Sequence, residues 1–155
     1  MKGFSLIELL VVITIGGILL TIAWVRMSTL VPIYQLEGAA RGLAAEIQKA
    51  RGRAIAENKC FTVVINAGAK TYQLRNKSAS TLPCGTNGYA ADPADVARKI
   101  DDTDSLTGVA FTAGSNPVFT PRGTMETLPA PVIALTNASV ARSVGVQPTG
   151  RVYVQ

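Results

Sequence analysis

The sequence predicts an α+β chain, in which one long N-terminal helix packs on an antiparallel β-sheet head. Three observations predict it. Residues 4–25 are almost wholly apolar. Residues 36–54 place apolar side chains at helical spacing. Beyond Asn58 the chain breaks into short β-prone runs separated by Gly/Pro turns. The chain has 155 residues and a net charge of +5. Setting the apolar segment aside leaves about 130 residues, which suits one soluble domain.

The apolar segment, Phe4 to Val25, contains one charged residue, Glu8, and ends at Arg26. As a helix it spans about 33 Å, enough for a hydrocarbon core of ~30 Å. It is longer than the roughly 7–15-residue apolar region of a secretory signal. A signal cleaved after Thr21-Ile22-Ala23 is the competing reading, and the acid inside the run argues against it. A carboxylate at membrane depth costs roughly 2.5 kcal/mol or more, so Glu8 needs a partner or a route to the interface. Thr14, Gly16, Gly17 and Thr21 interrupt the aliphatic run. Gly17 and Thr21 form a small-xxx-small pair that lets helices approach closely, although such residues are also ordinary membrane-helix composition. Lys2 and Arg26 nearly cancel, so the positive-inside rule leaves orientation open.

The run Gly3-Phe4-Ser5-Leu6-Ile7-Glu8-Leu9-Leu10-Val11-Val12-Ile13 resembles the class III signal of type IV prepilins and pseudopilins. The resemblance implies a leader at residues 1–3, cut by a prepilin peptidase between Gly3 and Phe4. It also implies N-methylation of the new N-terminal Phe4 and an assembly role for Glu8. In filaments of that family the matching Glu is thought to meet the N-terminus of a neighbouring subunit. Cleavage creates a positive α-amine, and pairing with it offsets part of the desolvation cost of a carboxylate. The alternative is that Glu8, about 6 Å along the helix from Phe4, simply reaches the interface. The implied partners are other pilins or pseudopilins through the N-terminal helix, the peptidase and the inner membrane. The head is then expected in the periplasm.

The helix is expected to continue. Leu36, Ala40, Leu43, Ile47, Ala50 and Ala54 form a helical stripe, and Arg41, Glu46, Lys49, Arg53 and Glu57 lie off it. Glu37–Arg41 and Arg53–Glu57 have the spacing of i,i+4 ion pairs. Pro32 is expected to kink or locally break the helix. Residues 26–58 are thus read as an amphipathic continuation of a transmembrane helix at 4–25, and residues 59–155 as the β-rich head.

In the head, Cys60–Ile65 and Thr71–Arg75 flank the turn Asn66-Ala67-Gly68-Ala69 and read as a hairpin. Residues 78–90 read as a loop. Asp92-Pro93 looks like an N-cap with proline at the first helical position, so a short helix is expected over 92–99. Strands are expected at 108–112, 117–120, 132–136, 141–146 and 151–154, separated by turns at Pro121-Arg122-Gly123 and Gln147-Pro148-Thr149-Gly150. Cys60 and Cys84 beyond a membrane segment suggest an oxidising compartment. A bridge between them closes a loop of about 25 residues and contributes roughly 3 kcal/mol, and two free thiols are the other reading.

The C-terminal layout extends the resemblance. Phe119-Thr120-Pro121-Arg122-Gly123, the strand Val132-Ile133-Ala134-Leu135, and Gly150-Arg151-Val152 look like the ending of GspH/FimT-type pseudopilins. These are minor subunits of type II secretion pseudopili and type IV pili. The resemblance implies a structural, non-catalytic subunit of one of the two filaments. Some FimT-type pilins act in DNA uptake and carry a C-terminal G-R-x-R motif. Gly150 and Arg151 match it, and Tyr153 replaces the second Arg. DNA is therefore a candidate partner, with Arg142, Arg151 and Tyr153 as candidate contacts. Arg51, Arg53, Lys59, Lys70, Arg75 and Lys77 add positive charge in the same reading. Three C-terminal arginines give only weak, salt-sensitive binding, and ordinary surface charge is the competing reading.

Enzymatic chemistry is not expected. The chain has no His, which removes Ser-His-Asp and Cys-His devices. No P-loop or dinucleotide fingerprint is present. Two Cys and no His make a zinc site improbable. Asp92, Asp95, Asp101, Asp102 and Asp104 cluster without EF-hand spacing and read as a solvated acidic loop. No cofactor and no metal are expected.

Overall fold

The computed structural model describes residues 5–77, 82–91, 95, 98–99, 110–112, 115–127, 129–137 and 140–155. The chain divides into two compact units, Met1–Tyr34 and Gln35–Gln155. One helix, α1, runs over Leu6–Glu57 and enters both. Of the kink or local break expected at Pro32, the break does not occur: α1 is helical throughout, Pro32 included. Proline withdraws a single N–H from the ladder, and the turns on either side keep theirs.

The first unit is the apolar part of α1. Leu6–Trp24 has a mean hydropathy of 2.6, and none of it is buried. Thr14 and Thr21 donate their hydroxyls to the Val11 and Ile18 carbonyls, at 2.8 Å and 2.7 Å. Both polar groups are thereby satisfied within the helix and cost little in an apolar medium.

In the second unit the expected stripe is buried in full: Leu36, Ala40, Leu43, Ile47, Ala50 and Ala54 are each 0% exposed. Half of these residues are alanines, which let the helix axis lie close to the sheets. The helix ends with Asn58 at φ 52° and Lys59 N–H bonded to the Ala54 carbonyl, a left-handed cap of Schellman type.

Among the described residues nine strands follow: β1 (Cys60–Asn66), β2 (Thr71–Lys77), β3 (Ala90–Ala91), β4 (Arg98–Lys99), β5 (Ala110–Thr112), β6 (Val118–Phe119), β7 (Val132–Asn137), β8 (Val140–Val146) and β9 (Val152–Val154). The first sheet has the order β3-β2-β1-β6, with β4 also on β2. The second has the order β5-β7-β8-β9. All pairings are antiparallel. The hairpin forms as expected, with Cys60 opposite Lys77 and Asn66 opposite Thr71. Phe61, Val63, Leu74 and Phe119 from the first sheet join Ile133, Leu135, Val144 and Val146 from the second, and all meet the helix stripe in one core.

Two expectations fail around β2. The helix over 92–99 is replaced at Arg98–Lys99 by β4, and Asp95 is not helical. β3 pairs with β2 at residues 75–76 and β4 pairs with it at 71–72. Asp95 sits opposite the gap between them, where its Oδ2 accepts the Leu74 N–H at 3.2 Å. Pairing on the β2 edge thus takes the place of the last part of the expected helix, and Asp92 and Pro93 lie outside the described residues. Asp95 is also not part of a solvated loop: it is 6% exposed and its Oδ1 lies 2.7 Å from Lys49 Nζ. Asp92, Asp101, Asp102 and Asp104 lie outside the described residues. Glu46, off the stripe by sequence, is buried at 4% and pairs with the same Lys49 at 2.8 Å.

Candidate functional site

The N-terminal candidates come first. Gly3 and Phe4, the expected cleavage and methylation positions, lie outside the described residues. Glu8 is exposed in the first turn of α1. Its N–H and that of Leu9 bond to the Ser5 carbonyl, at 3.1 Å and 3.2 Å. Ser5-Leu6-Ile7-Glu8 therefore has the spacing of a capping box, a signal that periodicity alone does not reveal. A carboxylate in the first turn also lies against the positive end of the helix dipole. Around it the helix surface is bare: Leu6 is 81% exposed and Ile7 71%. A side chain added at Gly16 or Gly17 would meet nothing within 4 Å. Glu8 thus stands as the lone acid on an apolar rod open to another helix or to lipid.

Cys60 and Cys84 form a disulfide with Cα atoms 5.8 Å apart. With Val118 and half-buried Tyr89 they make a small second cluster on the outer face of the first sheet. Glu126 secures the loop that the bridge tethers, its two oxygens accepting the Cys84 N–H at 2.7 Å and the Gly85 N–H at 2.9 Å. Burial, with Glu126 nearby, pushes the Tyr89 hydroxyl up to about 12. The role of Glu126 leaves no sequence pattern, because its partners lie about 40 residues upstream.

The three DNA candidates do not converge. Register places Tyr153 directly opposite Gly145. Its ring lies across that glycine, where an added Cβ would stand 2.3 Å from Tyr153 Cζ. Arg151 and Tyr153 alternate onto the same face and line one depression of about 560 Å³ with Gln147 and Gln155. Arg142 shares parity with core-facing Val144 and Val146, so it points to the opposite side of β8. It also lies three residues, about 10 Å, along the strand from Gly145.

Several basic residues counted toward a positive surface have internal work instead. Arg51 Nε donates to the Gly123 carbonyl at 2.9 Å. Arg53 bonds Glu57 at 2.7 Å and lies over the Phe61 ring at 5.0 Å. Lys77 Nζ donates to the Cys84 carbonyl at 2.8 Å. Lys49, which was not in that set, is held between Asp95 and Glu46, and its hydrogen bond to Asp95, then that to Glu46, raises its pKa above the ordinary 10.5. Among the described residues no cluster of three His, Cys, Asp or Glu is placed to hold a metal ion.

Comparison with known proteins fits this anatomy. The model of the prokaryotic N-terminal methylation motif matches residues 1–24. The family model of the type II transport protein GspH matches residues 39–150. No curated relative matches the sequence. The fold is similar to that of the type IV minor pilin FimU of Pseudomonas aeruginosa PAO1, with a TM-score of 0.56 and 18% identity over 79% of this chain and 89% of that one. It is also similar to the minor pseudopilin EpsH from the type 2 secretion system of Vibrio cholerae, with a TM-score of 0.57 and 12% identity over 78% of this chain and 96% of that one. At such identities these structures speak for the fold, and the family assignment rests on the match over residues 39–150: the chain belongs to the GspH family of pilin-like minor subunits.

Proposed function

We propose that this chain is a non-catalytic filament subunit, processed by a prepilin peptidase between Gly3 and Phe4, N-methylated at Phe4 and held in the inner membrane by residues 4–25. It then joins a type II secretion pseudopilus or a type IV pilus, with residues 59–155 as a periplasmic head. The observation that carries this reading is the bare apolar helix with one acid in its first turn, continuous with the stripe that seats the head. Lipid and neighbouring helices are both apolar, so moving from one to the other costs the Leu/Ile/Val surface little. Only Glu8 distinguishes the two states. In lipid it is an expensive acid, and beside the amine of a neighbouring Phe4 it is half of an ion pair.

The test has two parts. Mass spectrometry of the membrane-extracted protein should find a mature chain starting at methylated Phe4, and a start at Trp24 would defeat the proposal. Glu8→Ala should then insert into membranes as well as the parent or better, and be depleted from sheared filaments. Normal incorporation of Glu8→Ala would reject the ion pair while leaving the filament role intact.

Family membership leaves room for a second reading, DNA uptake. The shared face of Arg151 and Tyr153 supports it, and the opposed Arg142 counts against it. Under that reading Arg151→Ala alone weakens gel-shift affinity for duplex DNA at low salt, and Arg142→Ala does not.

A further inference from the structure

A cleft of about 320 Å³ opens on the outer face of the first sheet, the face away from the main core. Thr62 of β1 and Arg75 of β2, cross-strand partners, form part of its floor. The disulfide-tethered loop at Thr86 and Tyr89 makes one wall, and Asn116 with Thr127 lies on the other.

The polar groups on the floor and far wall are largely committed. Thr62 donates its hydroxyl to the Pro117 carbonyl at 3.0 Å. Asn116 Oδ1 accepts the Ile65 N–H at 3.0 Å. Thr127 Oγ1 accepts the Val118 N–H at 3.1 Å and donates to the Asn116 carbonyl at 3.2 Å. Arg75 is the exception. Its Nε–H is buried and has no hydrogen-bond partner. No ion pair among the described residues includes Arg75. Glu126 spends both oxygens on the Cys84 and Gly85 amides. A second cation stands close by, with Lys77 Nζ 5.9 Å from the centre of the Tyr89 ring. The cleft therefore holds a guanidinium with a buried donor that lacks an acceptor, an arrangement that costs free energy until an acceptor arrives.

We propose that this cleft receives the carboxylate of an Asp or Glu side chain from an acidic segment of a partner protein. The planar guanidinium fork matches the two oxygens of a carboxylate. The volume lies at the small end of ligand pockets and admits one side chain with its flanking peptide groups. A nucleic-acid backbone calls for a row of cations spaced along its phosphates, and one arginine at the bottom of a cleft does not supply it. Access to Nε requires the exposed wall at Thr86–Gly88 to yield. The proposal is independent of which filament the subunit enters.

The test uses the full isotope-labelled chain in non-ionic detergent micelles, followed by NMR. The probe is the blocked peptide acetyl-Gly-Glu-Gly-amide, with acetyl-Gly-Gln-Gly-amide as control. The Glu peptide should give saturable shifts at the Arg75 Nε–H and at the Gly88 and Asn116 amides, and the Gln peptide should not. Arg75→Gln should weaken the Glu peptide roughly tenfold or more. Thr86→Glu keeps Arg75 and supplies a tethered carboxylate, so it should weaken the probe by a similar factor and raise the thermal midpoint. Equal shifts with both peptides, no saturation, or unchanged affinity in Thr86→Glu would overturn the proposal. Tighter binding of inorganic phosphate than of the Glu peptide would also overturn it, in favour of a polyanion.

Discussion

Gly150 shows how one residue can be misread from sequence. Beside Arg151 it reads as half of a DNA-uptake motif. In the fold it has φ +80°, and an added Cβ would lie 2.4 Å from the Gly123 carbonyl oxygen and 2.7 Å from Arg51 Nε. The glycine exists because two turns, at residues 121–123 and 147–150, press together under the Arg51 side chain. The close approach of the turns is by itself enough to require a glycine at 150. Gly150→Ala combines a disfavoured backbone conformation with a backbone clash and should cost about 2 kcal/mol or more in chemical denaturation. Arg151→Ala, at an exposed neighbour, should stay within about 0.5 kcal/mol. The clamp was not legible beforehand, since Arg51 lies 72 residues from its acceptor. Asp95 and Glu46 were misread for a related reason. Sequence marks them as charged and therefore solvent-facing, whereas a buried carboxylate is tolerated when a cation and a backbone N–H meet it.

At the scale of elements, local periodicity carried the reading and edges defeated it. The helix stripe and the β1–β2 hairpin were legible because each is fixed by spacing within a few residues. The strand at Arg98–Lys99 was not, because it depends on which part of β2 is left unpaired. The Cys60–Cys84 bridge lies between these cases. Two cysteines announce an oxidising setting, but pairing depends on β1 and the 82–89 loop meeting on one face. The bridge spans a sequence separation of 24. Cys60→Ser with Cys84→Ser should therefore lower stability by roughly 3 kcal/mol, read as a reduced denaturation midpoint. It should also loosen the loop that Glu126 holds.

For the whole molecule, protonation gives the broadest signature. Lys49 and Tyr89 both have raised pKa values, so the folded state holds these protons more tightly than the unfolded chain. The Lys49 contribution is complete below 10.5 and lost as pH rises through the raised value. Tyr89 adds a loss between its ordinary 10.0 and about 12. Thermal midpoints should hold to about pH 9 and fall steeply above about pH 10. Lys49→Met should lower stability at neutral pH, because it removes the cation that two buried carboxylates share, and should shrink the alkaline decline. The general plan, an apolar rod feeding a β head, was legible because membrane length and sheet patterning are global properties of composition. Trp24 is the chain's single tryptophan, 80% exposed at the end of the apolar span. The head has no indole to compete with it. Tryptophan fluorescence therefore reads the rod alone, and its emission maximum and quenching by brominated lipid can time, without any label, the departure of a subunit from the bilayer.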